Sequence, residues 1–222
     1  MIRIKTAPII STNPMTKIKL DTVGIALTGV KVKIADDGEI LIKGENVMNG
    51  YWNDPDATAK TVINGWVHTG DIGEIDSEGY IKITDRKKDI IVNTGGDNIS
   101  PSRIQEKLEF ESEIEQSMIY GDAKNYLVAI IVPNEEFISR WARENKVDNN
   151  LYDLSSNKTF HKTLTNVVEK VNNNLSITEK VRKFIIAKEA FTIENEMMTP
   201  TLKIRRFKVL SNYGDELESL YS

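Results

Sequence analysis

The chain has 222 residues, 40% hydrophobic and 28% charged, which suits one large cored domain or two small ones. A net charge of −4 gives no general attraction to nucleic acid or to an anionic membrane, and the absence of cysteine excludes disulfides, thiolate metal sites and a cysteine nucleophile. His68 and His161 are too far apart for a recognisable zinc spacing, and no apolar run approaches the ~18–20 residues that cross a bilayer.

Met1 to Pro8 carries Arg3 and Lys5 but no apolar stretch of signal-peptide length, so a cytoplasmic location is the default expectation. Residues 18–84 read as short strands broken by turns. Val30, Val32 and Ile34 alternate with Lys31 and Lys33, the period of a half-buried strand. Asp36-Asp37-Gly38 supplies turn chemistry before Ile40 and Ile42 resume the alternation. Asp54-Pro55 has the form of an N-cap followed by a first-turn proline and predicts a short helix from Ala57 to Val62. Ile72 and Ile75, a turn at Asp76 to Gly79, then Tyr80, Ile81 and Ile83 repeat the strand pattern. Such spacing predicts a small β-barrel or a piece of one. Trp52 and Trp66 read as packing residues and Tyr51 as structural.

The texture changes near Asp85. A charge run, Asp85 to Asp89, precedes the short apolar strand Ile90-Ile91-Val92 and a glycine loop from Thr94 to Asn98. Ser100-Pro101 opens a helix over Ser102 to Phe110. Tyr126 to Val132 is continuously apolar, a strand buried on both faces. Asn134 caps a helix whose acids Glu135 and Glu136 suit the positive end of its dipole. Asn145 to Asn157 is polar and reads as a loop. Phe160, Leu164, Val167, Val168, Val171 and Leu175 recur at helical spacing, and Lys183 to Ala187 is a further strand. The expected class is α+β, with a β-rich, barrel-like region over residues 1–85 and a compact domain of helices on a small sheet over 86–222.

Singly, the short motifs carry little. A Gly-Asp turn is usually a turn, a basic run is usually a solvated face, and Gly-Gly usually marks positive φ. Their order says more. Gly38-Glu39-Ile40-Leu41-Ile42-Lys43-Gly44, with Val47 and Gly50-Tyr51-Trp52, is followed by Trp66-Val67-His68-Thr69-Gly70-Asp71. Then come Asp85-Arg86-Lys87-Lys88-Asp89 through Gly95-Gly96 and Asn98-Ile99, and finally Thr199-Pro200-Thr201-Leu202-Lys203 with Arg205 and Arg206. This series resembles the core motifs of the adenylate-forming superfamily, and its last string is similar to that of long-chain fatty-acid–CoA ligases. The resemblance runs from about residue 6 to the end.

The resemblance implies an ATP-dependent ligase that joins a fatty acid to coenzyme A through an acyl-adenylate, releasing AMP and pyrophosphate. Residues 1–85 would be the last strip of its large N-terminal domain, and 86–222 its mobile C-terminal domain. Asp71 would accept hydrogen bonds from the nucleotide ribose, since a carboxylate offers two acceptor oxygens to two hydroxyls. Arg86 would contact the same nucleotide through its planar guanidinium. Lys203 would be the catalytic lysine of adenylation, its ammonium stabilising charge as carboxylate attacks the α-phosphate. Lys88 would be the hinge, and Gly95 and Gly96 would face coenzyme A after rotation. No catalytic role falls to His68.

The sequence departs from the family in two places. The phosphate loop is missing. The glutamate that would help hold Mg²⁺ in the complete enzyme is also missing, and Lys5 stands at its position before Thr6-Ala7-Pro8. Lysine cannot ligate magnesium, which takes oxygen donors. The chain alone is therefore expected to be inactive, with no metal ligand of its own and with a separate N-terminal half as a candidate partner. Peripheral membrane contact stays open. Two alternatives remain: a non-catalytic remnant or binding module of the same fold, and an adenylating enzyme of another acyl class.

Overall fold

The computed structural model describes residues 5–7 and 9–222; Arg3 and Pro8 lie outside them. Internal contacts divide the chain into two units, 1–90 and 91–222, so the division falls between Ile90 and Ile91.

The first unit is a set of short antiparallel pairings. Strands β1 (Ser11–Thr12) and β2 (Ile25–Ala26) form a two-stranded ribbon. Strand β3 (Lys31–Ile34) exposes its lysines and half-buries Val32 and Ile34, as the alternation predicts. The turn at Asp36-Asp37-Gly38 closes with Gly38 at φ 84° and returns the chain as β4 (Glu39–Lys43), Val32 opposite Ile42. Helix α1 (Pro55–Thr61) begins where the cap sequence places it, with the Asp54 carboxylate accepting from the Ala57 N–H at 3.0 Å. It leads through β5 (Val62–Ile63) into the long strand β6 (Trp66–Ile75) and then β7 (Ile81–Arg86). Strand β4 pairs along one edge of β6. The other edge is shared, by β5 beside Trp66 and Val67 and by β7 beside Asp71 to Ile75.

This five-stranded sheet is open, so of the two forms expected it excludes the closed barrel and leaves a piece of one. Strand β3 has β4 as its ladder partner, and β5 and β7 have β6, so among the described residues no pair of strands closes the ring. The unit's core is correspondingly small, centred on Ile40, Ile42 and Ile81. Trp52 corrects the packing expectation. It is 92% exposed, because the Tyr51 N–H is tied to the Thr58 hydroxyl at 2.8 Å in a turn that leaves Trp52 in solvent. Trp66 is half-buried, with the Lys33 ammonium 4.5 Å above its ring.

In the second unit, strands β8 (Ile91–Val92) and β9 (Asn98–Ile99) bracket the glycine loop. Helix α2 (Pro101–Glu109) is capped by Ser100. It is followed by β10 (Ile114–Tyr120), β11 (Leu127–Pro133) and α3 (Glu135–Asn145), where Asn134 accepts from the Glu136 and Phe137 N–H groups. Helix α4 (Leu151–Leu154) lies within the segment expected to be a loop, anchored by the buried Leu154. Then come α5 (Lys158–Asn172), β12 (Val181–Ile186) and α6 (Arg206–Ser219).

The sheet order is β10-β11-β12, with β10–β11 antiparallel and β11–β12 parallel. Every residue of the central β11 is buried, and its pleat divides the core. Leu127, Ala129 and Ile131 join Ile104, Leu108, Phe160 and Leu164 on one side. Val128, Ile130 and Val132 join Val209, Tyr213 and Leu217 on the other. This sandwich of helices on both faces is why the apolar run could not show a two-residue period.

Candidate functional site

In the first unit, Thr69-Gly70-Asp71 forms an irregular step in β6. The ladder to β4 shifts register between Glu39 and Leu41, opposite Ile72 and His68. Gly70 takes φ 77°, a conformation that costs a side-chain-bearing residue ~1–2 kcal/mol. The Thr69 hydroxyl donates to the Ile40 carbonyl at 2.7 Å and accepts from the Asp71 N–H at 3.0 Å. The Gly70 N–H donates to Glu39 Oε1 at 2.8 Å. These three bonds fix the backbone on which Asp71 stands.

Asp71 and Arg86 are direct partners across β6 and β7. Arg86 Nε lies 2.7 Å from Asp71 Oδ1, an oxygen withdrawn from solvent that accepts no well-directed hydrogen bond. The Arg86 side chain is 59% exposed, so most of its donors remain available to a ligand. Asp71 and Thr69 border an open cleft of about 490 Å³ with Val32, Ile40, Ile42 and Ile81 in its wall. An apolar cleft with a few convergent polar groups has the general character of a small-molecule site. Ile9, Val23 and Ile83 border the same cleft and are exposed.

Glu39 supports this arrangement, and sequence reasoning missed it. Its side chain is only 4% exposed. Besides the Gly70 N–H on Oε1, its Oε2 lies 2.8 Å from His68 Nδ1 and 2.9 Å from Lys87 Nζ. Burial pushes the Glu39 carboxyl up, but the donations from Lys87, His68 and Gly70 outweigh it and hold the group below its ordinary value. Lys87 also reaches Asp37 at 2.6 Å. That contact, with the one to Glu39, pushes the ammonium up and draws Asp37 down. A buried glutamate thus joins the turn that carries Asp71 to the segment that carries Arg86. His68 contributes a structural contact. Lys88 is exposed in a 3₁₀ turn, Lys87–Asp89, at the end of this unit.

Lys5 is the second residue of the region. An antiparallel bridge between Thr6 and Val47 and a hydrogen bond from the Met48 N–H to the Lys5 carbonyl pin its backbone. Its ammonium donates to the Thr69 carbonyl at 2.7 Å and the His68 carbonyl at 3.1 Å. A cation held on carbonyl oxygens does not fit the role of a Mg²⁺ ligand. Among the described residues, no three His, Cys, Asp or Glu side chains gather into a metal-holding set.

In the second unit, Gly95 and Gly96 sit exposed at the tip of a self-bonded loop. The Asn93 side chain accepts from the Asp97 N–H and donates to its carboxylate, both at 2.9 Å, and Gly96 takes φ 85°. The Thr94 N–H and hydroxyl bind Lys124 and Asn125 of the β10–β11 turn.

Lys203 closes a tight turn. The Thr199 N–H donates to the Lys203 carbonyl at 2.9 Å, the Lys203 N–H to the Thr199 hydroxyl at 3.0 Å, and Leu202 takes φ 57°. Lys203 is exposed, and among the described residues its ammonium has no hydrogen-bond or ion-pair partner. Its basic neighbours are engaged: Arg206 donates to the Ile119 carbonyl and Lys208 pairs with Glu196 at 2.8 Å. Lys203 is thus available beside Arg206 and Lys208, which are committed to structural contacts, and Arg205, whose guanidinium lies 4.9 Å from the Phe207 ring.

The AMP-binding enzyme C-terminal domain family matches residues 88–222, and the chain belongs to that family. It is 34% identical over 207 residues to the long-chain-fatty-acid–CoA ligase FadD15 of Mycobacterium tuberculosis, covering 92% of this chain and 34% of that protein. It is also 34% identical over 190 residues to human long-chain-fatty-acid–CoA ligase 6, covering 84% of this chain and 27% of the relative. Its fold is similar to the A domain of a carboxylic acid reductase from Segniliparus rugosus in complex with AMP and a co-purified carboxylic acid. There the TM-score is 0.72 and identity 25%, covering 90% of this chain and 32% of that one. The O-succinylbenzoate coenzyme A synthetase of Bacillus subtilis, in complex with AMP, shares the fold at TM-score 0.59 and 24% identity. The chain spans about a third of the length of FadD15. Among the described residues no helix is long and apolar enough to cross a membrane.

Proposed function

We propose that the chain is the C-terminal portion of an ATP-dependent long-chain fatty-acid–CoA ligase, working through an acyl-adenylate. The observation that carries this reading is the Asp71–Arg86 pair. A carboxylate and a largely exposed guanidinium face each other across β6 and β7, on a turn held by a buried glutamate. In this reading Asp71 binds the ribose hydroxyls of ATP and AMP, Arg86 contacts the nucleotide and Lys203 is the adenylation lysine. Lys88 is the hinge between a large-domain strip, 1–85, and a mobile domain, 86–222. Gly95 and Gly96 face coenzyme A. Long-chain acyl specificity is supported by the identity to FadD15 and human ligase 6.

The exposed apolar border of the Asp71 cleft supports dependence on a further chain segment, such as a separate N-terminal half. The pure chain should then give no ATP–pyrophosphate exchange with palmitate, and robust exchange would contradict the reading. Lys5 favours a second reading, a nucleotide-binding remnant without ligase chemistry, because it puts an ammonium where the resemblance expects the magnesium ligand. A cytoplasmic setting fits either.

A further inference from the structure

We propose that Lys5 is a built-in cation for phosphate, so that the Asp71 site takes a nucleoside monophosphate without a divalent metal. This rests on the reading of Asp71 and Arg86 as nucleotide ligands and deepens it.

An ammonium has three donors. Two of them point at the His68 and Thr69 carbonyls, and the third has no acceptor among the described residues. Nor does any carboxylate among the described residues pair with Lys5, whose two hydrogen bonds go to neutral carbonyls. The uncompensated charge is fixed in place. Its carbonyl accepts from the Met48 N–H, the next residue Thr6 bridges to Val47, and its head lies 3.9 Å from where a side chain at Gly70 would begin. The ammonium thus rests against β6 beside Gly70, the residue before Asp71. A ligand that sets hydroxyls against Asp71 and carries an anion beside them meets a positive charge there. A charge-assisted N–H···O bond is about twice as strong as a neutral one, and strength of that kind favours a phosphate over a hydroxyl. Mg²⁺ would meet repulsion at the same point.

The test titrates the full chain with AMP and with adenosine, each in EDTA and in excess MgCl₂, following backbone amides by NMR. The expected result is AMP binding about tenfold tighter than adenosine, by the gain of one charge-assisted bond. EDTA should leave this preference unchanged. Lys5→Met should bring the two ligands to within about twofold of each other, and Lys5→Arg should keep the preference, since the charge remains. Unperturbed amide spectra of both variants away from Gly70 would show that the fold is kept. Equal affinity for AMP and adenosine in the unaltered chain overturns this proposal and leaves the nucleoside-site reading standing. So does a phosphate preference that needs Mg²⁺ or survives Lys5→Met. Absence of any shift near Asp71 with either ligand overturns both.

Discussion

Glu39→Gln is the sharpest perturbation of the site's support. Glutamine can keep one acceptor toward the Gly70 N–H, but its amide nitrogen then faces His68 and the Lys87 ammonium, donor against donor. The Lys87 contact is half exposed and Lys87 keeps Asp37, so its loss costs at most ~1 kcal/mol. The His68 contact lies deeper, and losing a hydrogen bond to a buried carboxylate costs ~1.5 kcal/mol. The sum, roughly 1.5–2.5 kcal/mol, corresponds to about 10- to 60-fold more frequent opening, since 1.4 kcal/mol is tenfold. Hydrogen exchange of a peptide covering β6 reads this directly. The effect carries a pH signature. The folded Glu39 carboxyl lies below its ordinary 4.5, so its stabilisation is fully present above that pH and is lost as pH falls through the folded value. The gap between parent and variant should close over that acidic range. A change of less than about threefold at neutral pH, or a gap that persists in acid, would show that the network does not hold the turn.

Two further predictions concern the second unit. Phe160 is fully buried, stacked on Phe137 at 5.7 Å and edge-on to Trp141 at 4.8 Å. Phe160→Ala should lower the unit's stability by about 3–5 kcal/mol in urea unfolding followed by Trp141 fluorescence, and a loss below ~1 kcal/mol would refute the packing described. The Tyr120 phenol is pushed up to about 12 by its hydrogen bond to Glu218 and, secondly, by burial. Its contribution to stability is thus present below pH 10 and lost as pH rises toward 12; ultraviolet titration should show the high value fall in Glu218→Gln.

The elements legible in the sequence were those with local causes. Asp54-Pro55, Ser100-Pro101 and Asn134 start helices because a side-chain acceptor and a first-turn residue act within three positions. What was missed depends on distant partners. Glu39 is a charged residue in a strand alternation; only the β4–β6 register reveals its donors at His68 and Gly70, and only the turn after β7 brings Lys87. Helix α6 was not read. Val209, Tyr213 and Leu217 do recur every four residues, but the helix has no side-chain cap and carries Gly214 inside it. The open sheet was read as barrel-like because strand spacing is the same whether or not the ends meet. Of the residues singled out from the motifs, Asp71 and Arg86 come together as strand partners, while Lys88, Gly95, Gly96 and Lys203 are each exposed.

The most direct measurement is acyl-CoA synthesis by a chimera. Residues 6–222 of this chain, which leave Lys5 out, would replace the matching segment of FadD15 behind that relative's own upstream part. The account predicts acyl-CoA from palmitate, ATP and coenzyme A. It also predicts loss of that activity by at least about 10²-fold in Lys203→Ala, the scale of removing one charge-stabilising group, with the fold unchanged. A well-folded chimera that makes no acyl-CoA, or one indifferent to Lys203→Ala, would contradict it.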